Sequence, residues 1–148
     1  KEVQAAFRER TVKKKYTLIV QGRWPTKTRT IQDRLLRYET DWGERRVRVD
    51  AKGQVARTDF QILEAGEHAT LLQAALHTGR THQIRVHAQS QGHPILGDTK
   101  YGGASGPKEV ARLCLHASRL VVPIGGDKLD VSAPLEPTMA SIWTELKP

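Results

Sequence analysis

The strongest constraint on how this chain can fold is the punctuation of its apolar residues. They come in short, strand-length runs between turn signals, and only rarely in a helical period. Lys15 to Gly22 (KYTLIVQG) is a β-rich run ended by Gly22 and Trp24-Pro25. Arg46 to Asp50 (RVRVD) alternates as a short strand before a turn at Lys52-Gly53. Arg57 to Ala65 alternates again, with Phe60 and Ile62 on one face, and Gly66-Glu67-His68 turns the chain into Ala69 to Leu76. These three runs are expected to form a β-meander. Leu113 to Pro123 and Leu129 to Pro134 read as further strands. Residues 25–45, mixed, basic and rich in threonine, read as an irregular loop with a turn at Trp42-Gly43. Helical spacing is confined to residues 1–10, to about Thr81–Gln91 with Gly92 as its stop, and to Pro137–Leu146 with proline at its start. The expected class is α+β: one domain over residues 1–148, a mainly antiparallel mixed β-sheet with a few flanking helices.

The formal net charge is +8. Residues 1–48 carry 14 Lys+Arg against 6 Asp+Glu, whereas the remaining hundred residues carry 10 of each. The whole excess lies in the first third, which points to a polyanionic partner and makes Lys13 to Arg48 the expected contact surface. No stretch approaches the roughly 18–20 apolar residues a spanning helix needs, so no membrane partner is expected. The single cysteine, Cys114, lies in an apolar run, which excludes an internal disulfide or a cysteine zinc site and makes it a buried thiol. A reducing, cytoplasmic setting is the corresponding expectation.

The segment Leu76 to Asp98 (LHTGRTHQIRVHAQSQGHPILGD) concentrates the chemistry. A strand ends, Gly79 permits a turn, and Thr81 or Thr78 can cap the helix that follows. On that helix Thr81, His82, Arg85 and Gln89 make a polar stripe, and Ile84 and Ala88 supply the apolar side. Arg80 and Arg85 gather near the positive helix N-terminus, a place suited to a phosphate or to a carboxylate from elsewhere in the chain. His77, His82, His87 and His93 are spaced by five or six rather than the three or four of helical zinc pairs, so no metal is expected. GRTHQIR matches neither a phosphate-loop nor a dinucleotide pattern.

TGRTHQIRVH followed by GHPILGDTKYG resembles the signature of the RluA-type RNA pseudouridine synthases. The likeness runs from about residue 10 to 140: Lys13-Lys14-Lys15-Tyr16 with TLIVQG, the Thr58 to Glu64 strand, Leu115-His116-Ala117, and Ala133-Pro134 before the last helix. Within the family the pattern is most similar to the large-ribosomal-subunit branch of the RluC kind. The resemblance implies a cofactor-free isomerisation of uridine in ribosomal RNA of the 23S type, carried out by a monomer in the cytoplasm. The uracil N-glycosidic bond breaks, the base turns, and a C–C bond forms at its C5. Tyr16 matches the active-site tyrosine that packs against the target base, and Arg85 the arginine that ion-pairs with the catalytic aspartate. Substrate contacts are expected from Arg80, Thr81, His82, Gln83, Lys13, Lys14 and Lys15, and the uridine must be flipped out of its stack.

The sequence departs from the family at one decisive point. The nucleophile sits in an H-R-L-D-x-x-T-S-G motif some thirty residues before the Lys-Tyr strand, and these 148 residues contain no HRLD. The expectation is therefore a C-terminal portion of the catalytic domain, inactive alone, with Arg85 as half of an ion pair whose other half is absent. Asp98 is expected to cap local backbone amides in the turn after G-H-P-I, and Asp33 and Asp59 have no motif context. A milder departure is Gly53-Gln54-Val55-Ala56 where the family often has G-K-P-A. The competing function is a non-catalytic RNA-binding module on the same scaffold.

Overall fold

The structure, a computed structural model, describes residues 13–25, 27–80, 82–102 and 112–146. The helix expected over residues 1–10 lies outside the described residues. In chain order the elements are β1 (Lys13–Gln21), β2 (Thr28–Glu39), β3 (Arg45–Val49), β4 (Gln54–Ala65), β5 (Ala69–Leu76), α1 (Gln83–Ser90), a 3-10 turn (Thr99–Tyr101), β6 (Leu115–Ile124), β7 (Asp127–Ser132) and α2 (Pro137–Leu146). The seven strands form one sheet in the order β3-β2-β4-β5-β1-β6-β7. Every pairing is antiparallel. Among the described residues no helix is long and apolar enough to cross a membrane.

Two expectations need correction here. Residues 28–39, expected to be loop, form the twelve-residue strand β2. Its inward positions are Ile31, Asp33 and Leu35, paired with Thr58, Ala56 and Gln54 of β4. Ile31 and Leu35 are buried, but the acidic residue between them masks the period-2 signal. The expected meander is broken for the same reason: β2 sits between β3 and β4, which do not pair.

The core centres on β1, whose Leu18, Ile19 and Val20 are fully buried, so both faces of this strand are covered. Leu18 pairs with Leu72, and Tyr16 with Ala74, which pairs in turn with Phe60. Phe60 packs on Trp24 with ring centroids 4.9 Å apart. Ile84 and Ala88 of α1 join this cluster, as do Met139 and Trp143 of α2. The Trp143 indole N–H donates to Glu64 at the end of β4 (2.9 Å). Cys114 is fully buried, as expected, and burial pushes its thiol up to about 11, where it stays protonated and inert.

α1 is fixed to the sheet by polar groups as well as apolar ones. Gln83 and His87, one turn apart, are both buried over Thr58 of β4. The Thr58 hydroxyl accepts from the Gln83 amide (2.9 Å) and meets His87 Nδ1 at 2.9 Å. Its one hydrogen is available to Nδ1, and the tautomer that uses it carries the imidazole proton on Nε2, on the side of Asp33. That buried Nε2 has no hydrogen-bond partner and lies 4.0 Å from Asp33. Burial lowers the His87 pKa to about 4, with Asp33 opposing the shift.

The folded-state pKa lies below the free value near 6.5, so between these values the unfolded chain takes up a proton that the folded, neutral His87 does not. Its contribution is complete above about pH 6.5 and is lost as pH falls toward 4. Denaturant titrations between pH 7 and 4 should show a loss of up to about 3 kcal/mol from this group. In His87→Gln that component of the pH dependence should vanish.

Candidate active site

The site is built where α1 meets the turn at residues 97–101. Gly97 has φ 80°, and a Cβ there would stand 1.9 Å from the Arg112 carbonyl oxygen, so only glycine lets the chain pass this close. The next residue, Asp98, is 1% exposed. It takes both forks of Arg85: Nε donates to Oδ2 at 3.0 Å and Nη2 to Oδ1 at 2.8 Å. Oδ1 also accepts from the Tyr101 backbone N–H (3.3 Å), which caps the 3-10 turn as the sequence led us to expect. The hydrogen bond to Asp98 raises the Arg85 pKa further above its ordinary value, against the opposing effect of burial.

Tyr101 completes the arrangement. Its ring lies under the Arg85 guanidinium, 5.1 Å from carbon to centroid, and its hydroxyl accepts from the Val47 N–H of β3 at 3.0 Å. The same hydroxyl meets His82 Nδ1 at 2.6 Å. Burial, then the charges of Arg85 and Lys100, lower the His82 pKa, so the ring is neutral at pH 7 and Nδ1 accepts the phenolic hydrogen. Burial also raises the Tyr101 pKa and keeps that hydrogen in place. His82 holds a left-handed backbone, φ 52°, worth about 1–2 kcal/mol of strain. The Tyr101 contact and the packing of α1 offset it.

Several expected roles change. Arg85 does not wait for a partner: Asp98 of this chain occupies it. Asp98 in turn cannot attack a base, since it is buried with both oxygens engaged. Gln83, expected to meet RNA, is 2% exposed and fully occupied. Its amide donates to the Arg57 carbonyl and Thr58, and its Oε1 accepts from the Thr78 hydroxyl and the Arg80 N–H. Gln83 thereby replaces the expected threonine cap, because α1 has no side-chain cap bond at its N-terminus. Thr81 lies outside the described residues. Arg80 is half-buried, donates to the Val55 carbonyl (3.1 Å) and joins no ion pair among the described residues.

Tyr16 sits on β1 beside a bulge between Lys15 and Tyr16 in the pairing with β6. It is half-buried against the core. Among the described residues no hydrogen bond or ion pair joins it to Arg85. Lys13 is exposed, and Lys14 and Lys15 are half-buried on the same strand. Asp59, without motif context in the sequence, binds the Thr30 hydroxyl (2.6 Å) and the His77 imidazole (2.5 Å). Those contacts lower its pKa although burial opposes them. Tyr101 lies within the GHPILGDTKYG segment, but the sequence reading gave it no role. For Asp98 the signal was the glycine before it, which marks a close approach.

Arg85→Ala would strand a fully buried carboxylate and should cost about 3–5 kcal/mol in denaturant unfolding. The double variant Arg85→Ala/Asp98→Ala should cost clearly less than the sum of the two single changes. Strict additivity would show that the pair is not coupled.

Residues 1–90 match the family described as RNA pseudouridylate synthase. The chain is 43% identical over 148 residues to the ribosomal large subunit pseudouridine synthase C of Pasteurella multocida, covering 95% of this chain and 45% of that protein. It is 40% identical to the protein of the same name from Vibrio cholerae, covering 99% and 48%. The chain thus spans about half the length of these relatives. Among solved structures, human RNA pseudouridylate synthase domain containing 1 superposes with a TM-score of 0.83 at 28% identity, over 99% of this chain and 64% of that one. Human RNA pseudouridylate synthase domain containing 4 gives 0.74 at 26%, over 93% and 63%.

Proposed function

The chain belongs to the RNA pseudouridylate synthase family, and from that premise we propose that it forms the tyrosine- and arginine-bearing part of a catalytic domain that converts uridine to pseudouridine in large-subunit ribosomal RNA. The observation that carries this is the preset Arg85, held by Asp98 on the helix of the GRTHQIR segment. Cytoplasmic location and a monomeric state go with the same reading, and so does a single domain over residues 1–148.

In this proposal the aspartate that attacks the sugar or the base comes from outside these 148 residues, which hold no HRLD. A guanidinium has five N–H donors, and Asp98 engages one on Nε and one on Nη2. Three remain for a second carboxylate. Because Asp98 already balances the charge of Arg85, the arginine acts on that carboxylate chiefly by fixing its direction. Tyr16, on a strand buried in the middle of the sheet, offers its ring to the flipped uracil, and its phenol is the candidate for proton removal at C5. The absence of HRLD favours one second reading, a non-catalytic RNA-binding module.

Tritium release from RNA carrying 5-tritiated uridine separates the two. The complete gene product should release tritium, Arg85→Ala should lower the rate by about 10²-fold or more, and the 148-residue chain alone should release none. Full activity in Arg85→Ala would remove this arginine from the mechanism. RNA binding without any release by the complete product would leave the binding module.

A further inference from the structure

Arg80 does not stand alone. Together with Arg37 of β2 and Lys52 of the turn between β3 and β4 it lines a cleft of about 490 Å³. The rest of the lining is apolar side chain, glycine and Gln54, with no carboxylate. Among the described residues none of the three cations takes part in an ion pair. The nearest acid in sequence, Asp50, is turned to Arg48 (3.2 Å) and to the Lys52 backbone N–H (2.9 Å), and does not line the cleft. Three positive groups are thus gathered in one concavity whose lining holds no carboxylate, and among the described residues only Asp50, outside the lining, acts through space on Lys52.

The cleft is a fixed shape. A Cβ on Gly53 would stand 2.3 Å from the Leu35 carbonyl carbon, so the β3–β4 turn lies directly against β2. The Arg34 guanidinium holds it there through the Gly53 carbonyl (3.2 Å). Gly79 leaves the mouth open: a Cβ added there would touch nothing within 4 Å. A second cavity of about 440 Å³ shares Arg37 and adds Arg45, Arg46 and His82, with Glu39 as its acid. The cationic lining therefore continues from Arg80, through Arg37, to Arg45 and Arg46 of β3.

We propose that Arg37, Lys52 and Arg80 form a binding subsite for a backbone phosphate of the RNA substrate. The proposal deepens the function given above and rests on it for the choice of RNA as the source of the phosphate. A phosphodiester fits the site's chemistry: an open cleft without a carboxylate in its lining supplies charge and donors, and it has no aromatic ring on which a base could stack.

The test is the salt dependence of binding of an unmodified, uridine-containing RNA hairpin to the complete gene product. Arg37 and Lys52 are exposed, so thermal melting of Arg37→Ala, Lys52→Ala and the double variant should match the parent. Lys128→Ala, on exposed β7, serves as the control. Each cleft variant should weaken binding about 3- to 10-fold near 100 mM salt and lower the slope of log K against log salt by about 0.7 to 0.9. An unchanged slope in the double variant, or an equal loss in Lys128→Ala, would overturn the proposal. So would inorganic phosphate binding that depends on Arg37 and Lys52 while RNA binding does not. Tritium release by the same preparations keeps the two readings apart. Protein that binds RNA through the cleft but releases no tritium loses the catalytic reading. Protein that releases tritium with an unaltered slope in the double variant loses the subsite.

Discussion

The bidentate contact between Arg85 and Asp98 is the joint on which the functional end of this molecule depends. It ties a helix to a turn thirteen residues further on, and it does so with a carboxylate that has no exposure to water. Such a pair offers little net stability, since desolvation of both ions consumes most of the attraction. Its effect is directional. With Nε and Nη2 both held, the guanidinium plane cannot rotate, and Tyr101 beneath it fixes the remaining face. From Tyr101 the same chain of contacts reaches His82 and the Val47 amide, so helix, turn and sheet edge share one network.

How much of this could be read beforehand depended on the kind of signal each element carries. β1 and β5 are runs of apolar residues between turn formers, and α2 begins at a proline; all three were legible. β2 was not, because Asp33 occupies an inward position beside His87 and interrupts the alternation. Losing one strand also misplaced β3, since strand order depends on which element lies between two others.

The site divides in the same way. Helical spacing placed Arg85 correctly on a face that seeks a carboxylate, yet spacing cannot say which carboxylate arrives. Asp98 reached it through a glycine-permitted close approach, a relation between segments distant in the fold and invisible to local patterns. Gln83 was misread for the opposite reason. A polar residue in a basic segment suggested a surface role, but its amide closes the entry of α1 and is fully occupied within the protein. A polar side chain can be buried whenever all its donors and acceptors are met.

The position of β1 has a consequence for the order in which the protein assembles. This first described strand lies between β5 and β6, whose residues follow it by about fifty to sixty and by about a hundred positions. Neither partner is a chain neighbour, so no local hairpin can hold β1, and the cost of closing both long loops falls before its burial is gained. During synthesis the strand leaves the ribosome before both of its partners and waits for segments made later. Tyr16 rides on that strand. Its final placement is therefore a late event, completed only when the distant parts of the chain have found one another.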